Sequence, residues 1–63
     1  MISVRSSVIR AVDYNPLTKQ LFIKFHSGYT YVYYGVPESI FRGLLRASSK
    51  DSYFNTYIRG RYE

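Results

Sequence analysis

Apolar and polar positions alternate strictly in the middle of the chain, as they do along a half-buried β-strand. Residues 20–26 form the clearest predicted strand. Its apolar face consists of Leu21, Ile23 and Phe25. Its opposite face consists of Gln20, Phe22, Lys24 and His26. An exposed ring with basic and polar neighbours resembles a stacking platform for nucleic-acid bases. In the alternative arrangement, a helix or the N-terminal segment covers Phe22.

Two further segments have the β-branched and aromatic composition of strands. They cover residues 8–14 and residues 29–34. The alternation within 8–14 is imperfect, which indicates a bulge near Arg10. Asn15–Pro16 and Ser27–Gly28 separate the segments with residues typical of turns. The first half of the chain therefore predicts three strands.

The third predicted strand contains four of the eight tyrosines in the sequence. One of its faces carries Tyr29, Tyr31 and Tyr33, and the other carries Thr30, Val32 and Tyr34. Alternation does not decide which face is buried. In a core, Tyr31 and Tyr33 would bury their rings and leave their hydroxyls at the rim, whereas on a surface they would stack bases.

Apolar residues in the second half recur at intervals of three and four, which predicts helices. Pro37 fits the first turn of a helix extending to about residue 47. The apolar stripe of this helix consists of Ile40, Phe41, Leu44, Leu45 and Ala47. Its interior contains Gly43, which costs about 1 kcal/mol of helix stability relative to alanine.

A break follows the first predicted helix, with several residues that favour helix N-caps. The candidate caps are Ser49, Asp51 and Ser52. A second short helix is expected at about residues 52–59, with Gly60 as its stop. The sequence thus predicts an α+β fold of order β-β-β-α-α, in which two short helices pack on one face of a three-stranded antiparallel meander.

Length and composition limit the class of protein further. The 63 residues predict a single domain, 1–63, with a small core. Cysteine is absent, so disulfides and cysteine-based zinc sites are excluded. No apolar run approaches the roughly 18 residues of a membrane-spanning helix, and the N-terminus lacks a secretory signal pattern. We therefore expect a soluble cytoplasmic protein with no membrane partner.

The charge balance and aromatic content favour an anionic partner. Nine Lys and Arg residues against four acids give a net charge of +5, and 19% of the residues are aromatic. Nucleic-acid binding requires cations for phosphates and flat rings for bases. The candidate phosphate contacts are Lys24, Arg42, Arg46, Lys50, Arg59 and Arg61, and the candidate stacking residues are Phe22, Tyr31 and Tyr33. In the alternative interpretation, these cations form a solvated surface.

Catalysis is not expected from this sequence. His26 is the single histidine, which excludes a histidine metal cluster, and we expect neither a metal nor another cofactor. The four acids, Asp13, Glu38, Asp51 and Glu63, belong to different predicted elements. Their spacing predicts no general acid–base pair, and the isolated glycines form no phosphate-binding fingerprint.

An ordered series of motifs extends along nearly the whole chain. Its central part is a Y-x-Y…V-P pattern formed by Tyr31–Tyr33 and Val36–Pro37. Before it come Leu21, Ile23, Phe25 and Gly28, and after it come Ala47–Ser49, Tyr53–Asn55, Ile58–Arg59 and Tyr62. From about Val4 to Tyr62, the chain resembles the KTSC domain, which occurs at the C-terminus of some lysyl-tRNA synthetases and as small stand-alone proteins of bacteria and phages.

The resemblance implies a small α+β domain and, by analogy with the synthetases, RNA binding. It implies no catalytic residue. Asp51 stands where similar sequences usually carry glycine, so we expect a slightly different turn between the helices. Arg59 could hold a phosphate in a bidentate contact, or could pair with Asp13 or the terminal carboxylate.

The sequence therefore supports three interpretations of function. RNA binding through phosphate contacts and base stacking is the leading hypothesis. A module for small nucleotides is one alternative, since one ring and one arginine suffice for a free nucleotide. A protein-interaction module is the other, because Tyr and Arg are favoured interface anchors. The oligomeric state stays open, because an uncovered edge strand could pair with a second copy.

Overall fold

A computed structural model describes residues 1–62 as a four-stranded antiparallel sheet followed by two helices. The strands are β1 (Ile2–Ser3), β2 (Ile9–Asn15), β3 (Gln20–Phe25) and β4 (Thr30–Tyr33). The helices are α1 (Glu38–Arg46) and α2 (Lys50–Tyr53), and α2 continues directly into a π-helical segment, Phe54–Ile58. The strand order β1-β2-β3-β4 follows the chain. Glu63, one of the four acids considered above, lies outside the described residues.

The prediction of three strands is wrong by one, because the N-terminus adds a short edge strand. Ile2 pairs with Val12, and Ser3 pairs with Ala11. A two-residue strand is too short to show a period of two, so alternation could not predict it. The expected α+β class, the antiparallel meander and the two helices are confirmed.

The bulge expected near Arg10 is present in β2. The pairing register between β2 and β3 shifts between Ile9 and Ala11, which leaves Arg10 as the additional residue. This shift allows both Ile9 and Val12 to be fully buried although they are three residues apart. A bulge thus reconciles the imperfect alternation with a single apolar face.

Both expected hairpin turns form with the chemistry that the sequence indicated. The Asn15 side-chain oxygen accepts a hydrogen bond from the Leu17 N–H at 3.0 Å, as in an Asx turn. At the second turn, Gly28 adopts a φ of +100°, and its N–H donates to the Phe25 carbonyl at 2.9 Å. A side chain is rarely tolerated at this φ, which explains a glycine here.

The second helix begins two residues earlier than expected. Ser49, one of the three candidate caps, precedes it and accepts from the Ser52 N–H at 3.4 Å. Asp51 therefore lies in the first turn of α2, where its helical backbone does not require glycine. The helix then widens, and the Arg59 N–H donates to the Phe54 carbonyl at 2.9 Å, five residues back.

The core lies between one face of the sheet and the two helices. It consists of Ile9, Val12, Leu21, Ile23, Val36, Leu44, Phe54 and Ile58. Phe22 lies on the opposite face of the sheet, because it alternates with the buried Leu21 and Ile23. Its cross-strand neighbours are Asp13 and Val32, and the helices do not cover it.

Tyr53 closes the contact between the two helices. Its hydroxyl donates to the Ile40 carbonyl at 3.1 Å, and its ring lies directly over Gly43. A Cβ atom at position 43 would lie 2.7 Å from the ring carbon Cζ, which is closer than carbon atoms pack. Within residues 1–62, neither helix has the length and apolar character needed to cross a membrane.

Candidate functional site

Two adjoining cavities form a groove between the sheet edge at β4 and the π-helical segment. Their volumes are about 370 and 400 Å³, and they share Val8, Phe25 and Tyr31 as walls. We call this feature the tyrosine groove. Its rings are Phe25, Tyr29, Tyr31, Tyr33 and Phe54, and its polar side chains include Asp51, Asn55, Arg59 and His26.

The rings along one wall form a ladder set by the period of the strand. The ring centroids of Tyr29 and Tyr31 are 6.1 Å apart at 25°, and those of Tyr31 and Tyr33 are 6.4 Å apart at 41°. Phe25 supports Tyr31 edge-on at 5.6 Å, and Phe54 meets Tyr33 edge-on at 5.9 Å. Stacked and edge-on contacts of this kind are the arrangements that aromatic side chains prefer.

The face of β4 that the sequence left open is now assigned. Tyr31 and Tyr33 pair with the buried Ile23 and Leu21, so they lie on the same side of the sheet as the helices. Because β4 is an edge strand, this side is only partly covered there, and Tyr31 keeps 54% of its surface exposed. Tyr33 is half-buried and Tyr29 is 69% exposed.

The wall opposite the ladder is a polar stripe on the second helix. Asp51, Asn55 and Arg59 follow at intervals of four residues and line the same cavity. Arg59 donates from Nη1 to the side-chain oxygen of Asn55 at 3.3 Å. The stripe has a carboxylate at one end and a guanidinium at the other.

Arg59 also lies within electrostatic range of Tyr33. Burial raises the pKa of the Tyr33 phenol, Tyr31 raises it further, and the positive charge of Arg59 acts in the opposite direction. A tyrosine phenol is protonated at neutral pH with or without this shift, so the Tyr33 hydroxyl is a hydrogen-bond donor.

Asp51 connects the second helix to the loop between β1 and β2. Its carboxylate accepts hydrogen bonds from the hydroxyls of Ser6 and Ser7. These bonds, the one from Ser6 foremost, lower the pKa of Asp51, and bonds from the backbone N–H groups of Val8 and Ser7 lower it further. The ring nitrogen Nε2 of His26 lies 2.8 Å from the Ser6 carbonyl oxygen and donates to it, which fixes the loop from its other side.

The structure brings three of the nine candidate site residues into the groove, namely Tyr31, Tyr33 and Arg59. Phe22 and Lys24 lie on the opposite face of the sheet. Arg42 pairs with Glu38 at 2.8 Å, and the exposed Arg46 is in the last turn of α1. The remaining two donate to main-chain carbonyls, Lys50 to Ala47 at 2.8 Å and Arg61 to Thr56 at 3.1 Å.

Sequence reasoning missed several residues of the groove as site residues. They are Phe25, Tyr29, Phe54, Asp51 and Asn55. The interval of four from Asp51 to Asn55 to Arg59 was the available signal, because it places polar side chains on one helical stripe. Phe25 gave no such signal, because it occupies the same apolar position in the alternating pattern of its strand as a buried core residue would. Among residues 1–62, no cluster of three His, Cys, Asp or Glu side chains could hold a metal ion.

The fold and the groove define a class of small α+β domain in which an edge strand of tyrosines faces a short polar helix. The model of the KTSC domain family matches residues 5–62 of the chain. The chain therefore belongs to the KTSC domain family.

One relative and one solved structure illustrate this membership. A protein of Tsukamurella paurometabola is 39% identical over 62 residues, which cover 98% of this chain and 92% of that protein. The crystal structure of a KTSC domain protein from Yersinia pestis matches with a TM-score of 0.94 at 36% identity, over 97% of this chain and 86% of the other.

The same domain occurs within much longer proteins. A lysine–tRNA ligase of Nostoc punctiforme is 36% identical over 63 residues. The match covers all of this chain but 11% of the ligase. The similarity thus concerns one small part of that enzyme.

Proposed function

We propose that this protein is a non-catalytic module that binds single-stranded RNA through the tyrosine groove. The observation that carries the proposal is the exposed, preorganised ring of Tyr31 in the same cavity as Arg59. Stacking on a tyrosine stabilises a bound base by about 1–3 kcal/mol, and an arginine can hold the adjoining phosphate. The presence of the domain in a lysine–tRNA ligase, together with the +5 net charge, supports RNA as the ligand.

The shape of the groove favours a single strand over a duplex. A base must leave its stack to lie on Tyr31, and single-stranded RNA offers unstacked bases at little cost. Cavities of about 370 and 400 Å³ match the lower range of pockets that hold small ligands. The groove therefore has space for one or two nucleotides, with Tyr29 and Tyr31 as the stacking surfaces.

The cations outside the groove have a different role from Arg59. Arg42, Arg46, Lys50 and Arg61 give the molecule a positive field that attracts RNA before the groove engages it. This contribution is long-range and is screened by salt. Arg59, in the groove, is the cation that contacts the phosphate next to the stacked base.

Fluorescence anisotropy with labelled oligouridine and free uridine monophosphate tests the proposal. We expect the oligonucleotide to bind more tightly than the mononucleotide, and its affinity to fall steeply between about 50 and 200 mM salt. An affinity for the oligonucleotide that does not change with salt would contradict the phosphate contacts. Equal binding of the free mononucleotide would instead assign the groove to small nucleotides.

Replacement of Tyr31 by alanine tests the stacking surface. Tyr31→Ala is expected to lower RNA affinity about tenfold, because one base–aromatic contact is lost. The matched control is Tyr34→Ala, since Tyr34 is 57% exposed, compared with 54% for Tyr31, but does not line the groove. Equal losses in the two variants would show that the position of Tyr31 in the groove has no special role in binding.

A further inference from the structure

The outer edge of β4 carries main-chain hydrogen-bonding groups that β3 does not satisfy. The Phe25 N–H donates to the Tyr29 carbonyl at 2.8 Å, so the main chain of Tyr29 faces β3. Hydrogen bonding alternates along an antiparallel pair, and β3 and β4 keep one register, so the N–H and C=O groups of Thr30 and Val32 point away from β3. Within residues 1–62, no other segment makes a main-chain hydrogen bond to these groups.

This edge lacks the features that usually prevent a further strand from adding to a sheet. Natural edge strands are protected by charged side chains, proline, bulges or very short length. Residues 29–34 contain no charged residue and no proline, and β4 pairs with β3 without a register shift. The opposite edge of the sheet, β1, is only two residues long. Of the two edges, β4 is therefore the one that is open to pairing.

The sequence of the open edge is nearly palindromic about Tyr31. Residues 29–33 are Tyr, Thr, Tyr, Val and Tyr in this order. In an antiparallel pair of two such strands centred on Tyr31, Tyr29 faces Tyr33 of the other copy, and Thr30 faces Val32. Rings thus meet rings and β-branched side chains meet each other, which are cross-strand pairs that stabilise sheets. Such self-complementarity is what a two-fold interface between identical chains requires.

We propose that β4 pairs with β4 of a second copy, so that two sheets of four strands join into one of eight. With Tyr31 on the two-fold axis, Thr30 of each copy exchanges two main-chain hydrogen bonds with Val32 of the other. This register satisfies every outward main-chain group of β4, whereas an axis at Thr30 or Val32 would place one of these residues opposite a residue outside the strand. The helices of both copies then lie on the same side of the joined sheet, and their rows of tyrosines lie side by side.

Charge gives the dimer a salt dependence opposite to that of RNA binding. Each copy carries a net charge of +5, but residues 29–34 are uncharged, so the repulsion between copies is long-range and is screened by salt. Dimerisation should therefore strengthen as the salt concentration rises, whereas RNA affinity should fall. The dimer does not depend on the proposed function, and the two can fail separately.

Sedimentation equilibrium tests the dimer. The protein is compared in about 50 and about 500 mM NaCl, at concentrations from about 10 μM to about 1 mM. We expect the mass to rise with concentration from that of a monomer to twice that value, and to rise earlier at the higher salt. Hydrogen exchange of the Thr30 and Val32 amides should slow over the same range. A monomer under all these conditions would overturn the proposal and leave the edge to a strand of a different protein.

Substitutions at Thr30 test the interface itself. Thr30→Pro removes an outward N–H but no bond of the β3–β4 ladder, and proline is tolerated at such edge positions, so this variant should remain a monomer where the wild type is a dimer. The matched control Thr30→Val keeps the N–H and the branched side chain, and should dimerise like the wild type.

Thr30→Lys tests the same edge without altering its main chain, and therefore serves even if circular dichroism shows that Thr30→Pro does not fold. It adds one cation to each strand at the interface and should raise the dissociation constant about tenfold or more at low salt, and less at high salt. A dimer that persists unchanged in Thr30→Lys and in folded Thr30→Pro would place the interface elsewhere and overturn the assignment to β4.

Discussion

Arg59 differs from the other arginines in what surrounds it. It lines a cavity with two tyrosines and contacts Asn55, whereas Arg42 is engaged with Glu38 on the outer face of α1. A cation beside a ring can contact the phosphate of a stacked nucleotide, because base and phosphate are joined within one ligand. Substitution of each of these two arginines therefore distinguishes a direct phosphate contact from an effect of net charge.

Replacement of each arginine by glutamine removes one positive charge. Arg59→Gln is expected to lower RNA affinity about tenfold, and to reduce the slope of log affinity against log salt by about one. Arg42→Gln should change affinity by less than about twofold, since a surface pair outside the groove is lost. Anisotropy titrations over a salt series measure both quantities. If the two substitutions had identical effects, the net charge alone would explain the RNA affinity.

Gly43 shows how packing reverses a helix propensity. Alanine is the better helix former by about 1 kcal/mol, but its methyl group would lie against the Tyr53 ring. Tyr53 cannot move aside freely, because its hydroxyl donates to the Ile40 carbonyl. Gly43→Ala should therefore lower the free energy of unfolding by about 1 kcal/mol or more, as measured by urea denaturation.

The control for this substitution is Ser39→Ala. Ser39 is exposed in the first turn of α1, so alanine should change the stability there by less than about 0.5 kcal/mol. A Gly43→Ala variant that is more stable than the wild type would show that Tyr53 does not restrict this position.

At the scale of the elements, one carboxylate on the second helix stabilises the loop between β1 and β2. Asp51 accepts from Ser6 and Ser7, and its pKa in the folded state is lower than in the unfolded chain. The ionised form therefore stabilises the fold at pH values above about 5. This contribution is lost as the pH falls through the lowered pKa of the folded state.

Thermal melting followed by circular dichroism between about pH 7 and pH 2 measures this dependence. The wild type should lose stability on acidification more steeply than Ser6→Ala/Ser7→Ala, in which the carboxylate pKa returns toward its ordinary value. The double variant should also be less stable than the wild type at neutral pH. Parallel curves for the two proteins would contradict the assigned cause of the lowered pKa.

The elements that the sequence predicted correctly are those in which apolar positions recur with a clear period. Strands β2 to β4, the bulge at Arg10 and helix α1 each left a pattern in the apolar positions. The two-residue β1 left none. The π-helical segment could not be predicted either, because its bonding five residues back depends on how Phe54 and Ile58 fit into the core.

The types of residue in the candidate site could be predicted from the sequence, but their arrangement in space could not. Tyr31, Tyr33 and Arg59 were singled out because aromatic and guanidinium groups are typical of RNA contacts. Their grouping depends on the face of β4 that meets the helices, which alternation alone leaves open. Phe22 and Lys24 were singled out by the same criteria, and they lie on the other side of the sheet.

For the whole molecule, the structure separates a general positive charge from a specific groove. The candidate cations occupy β3, α1, α2 and the segment after α2, and Arg59 is the one that lines the described cavities. The rings of β4 are concentrated beside Arg59 instead. We therefore propose that the whole surface attracts RNA and that the tyrosine groove recognises it.

Mapping of amide chemical shifts by NMR on titration with oligouridine is the most direct test of RNA recognition by the tyrosine groove. We expect the largest changes in residues 29–33 and 51–59, which form the two walls of the groove. The amides of Phe22, Lys24 and Arg42 should shift little. The largest changes at those three residues, with residues 29–33 unaffected, would contradict recognition by the groove.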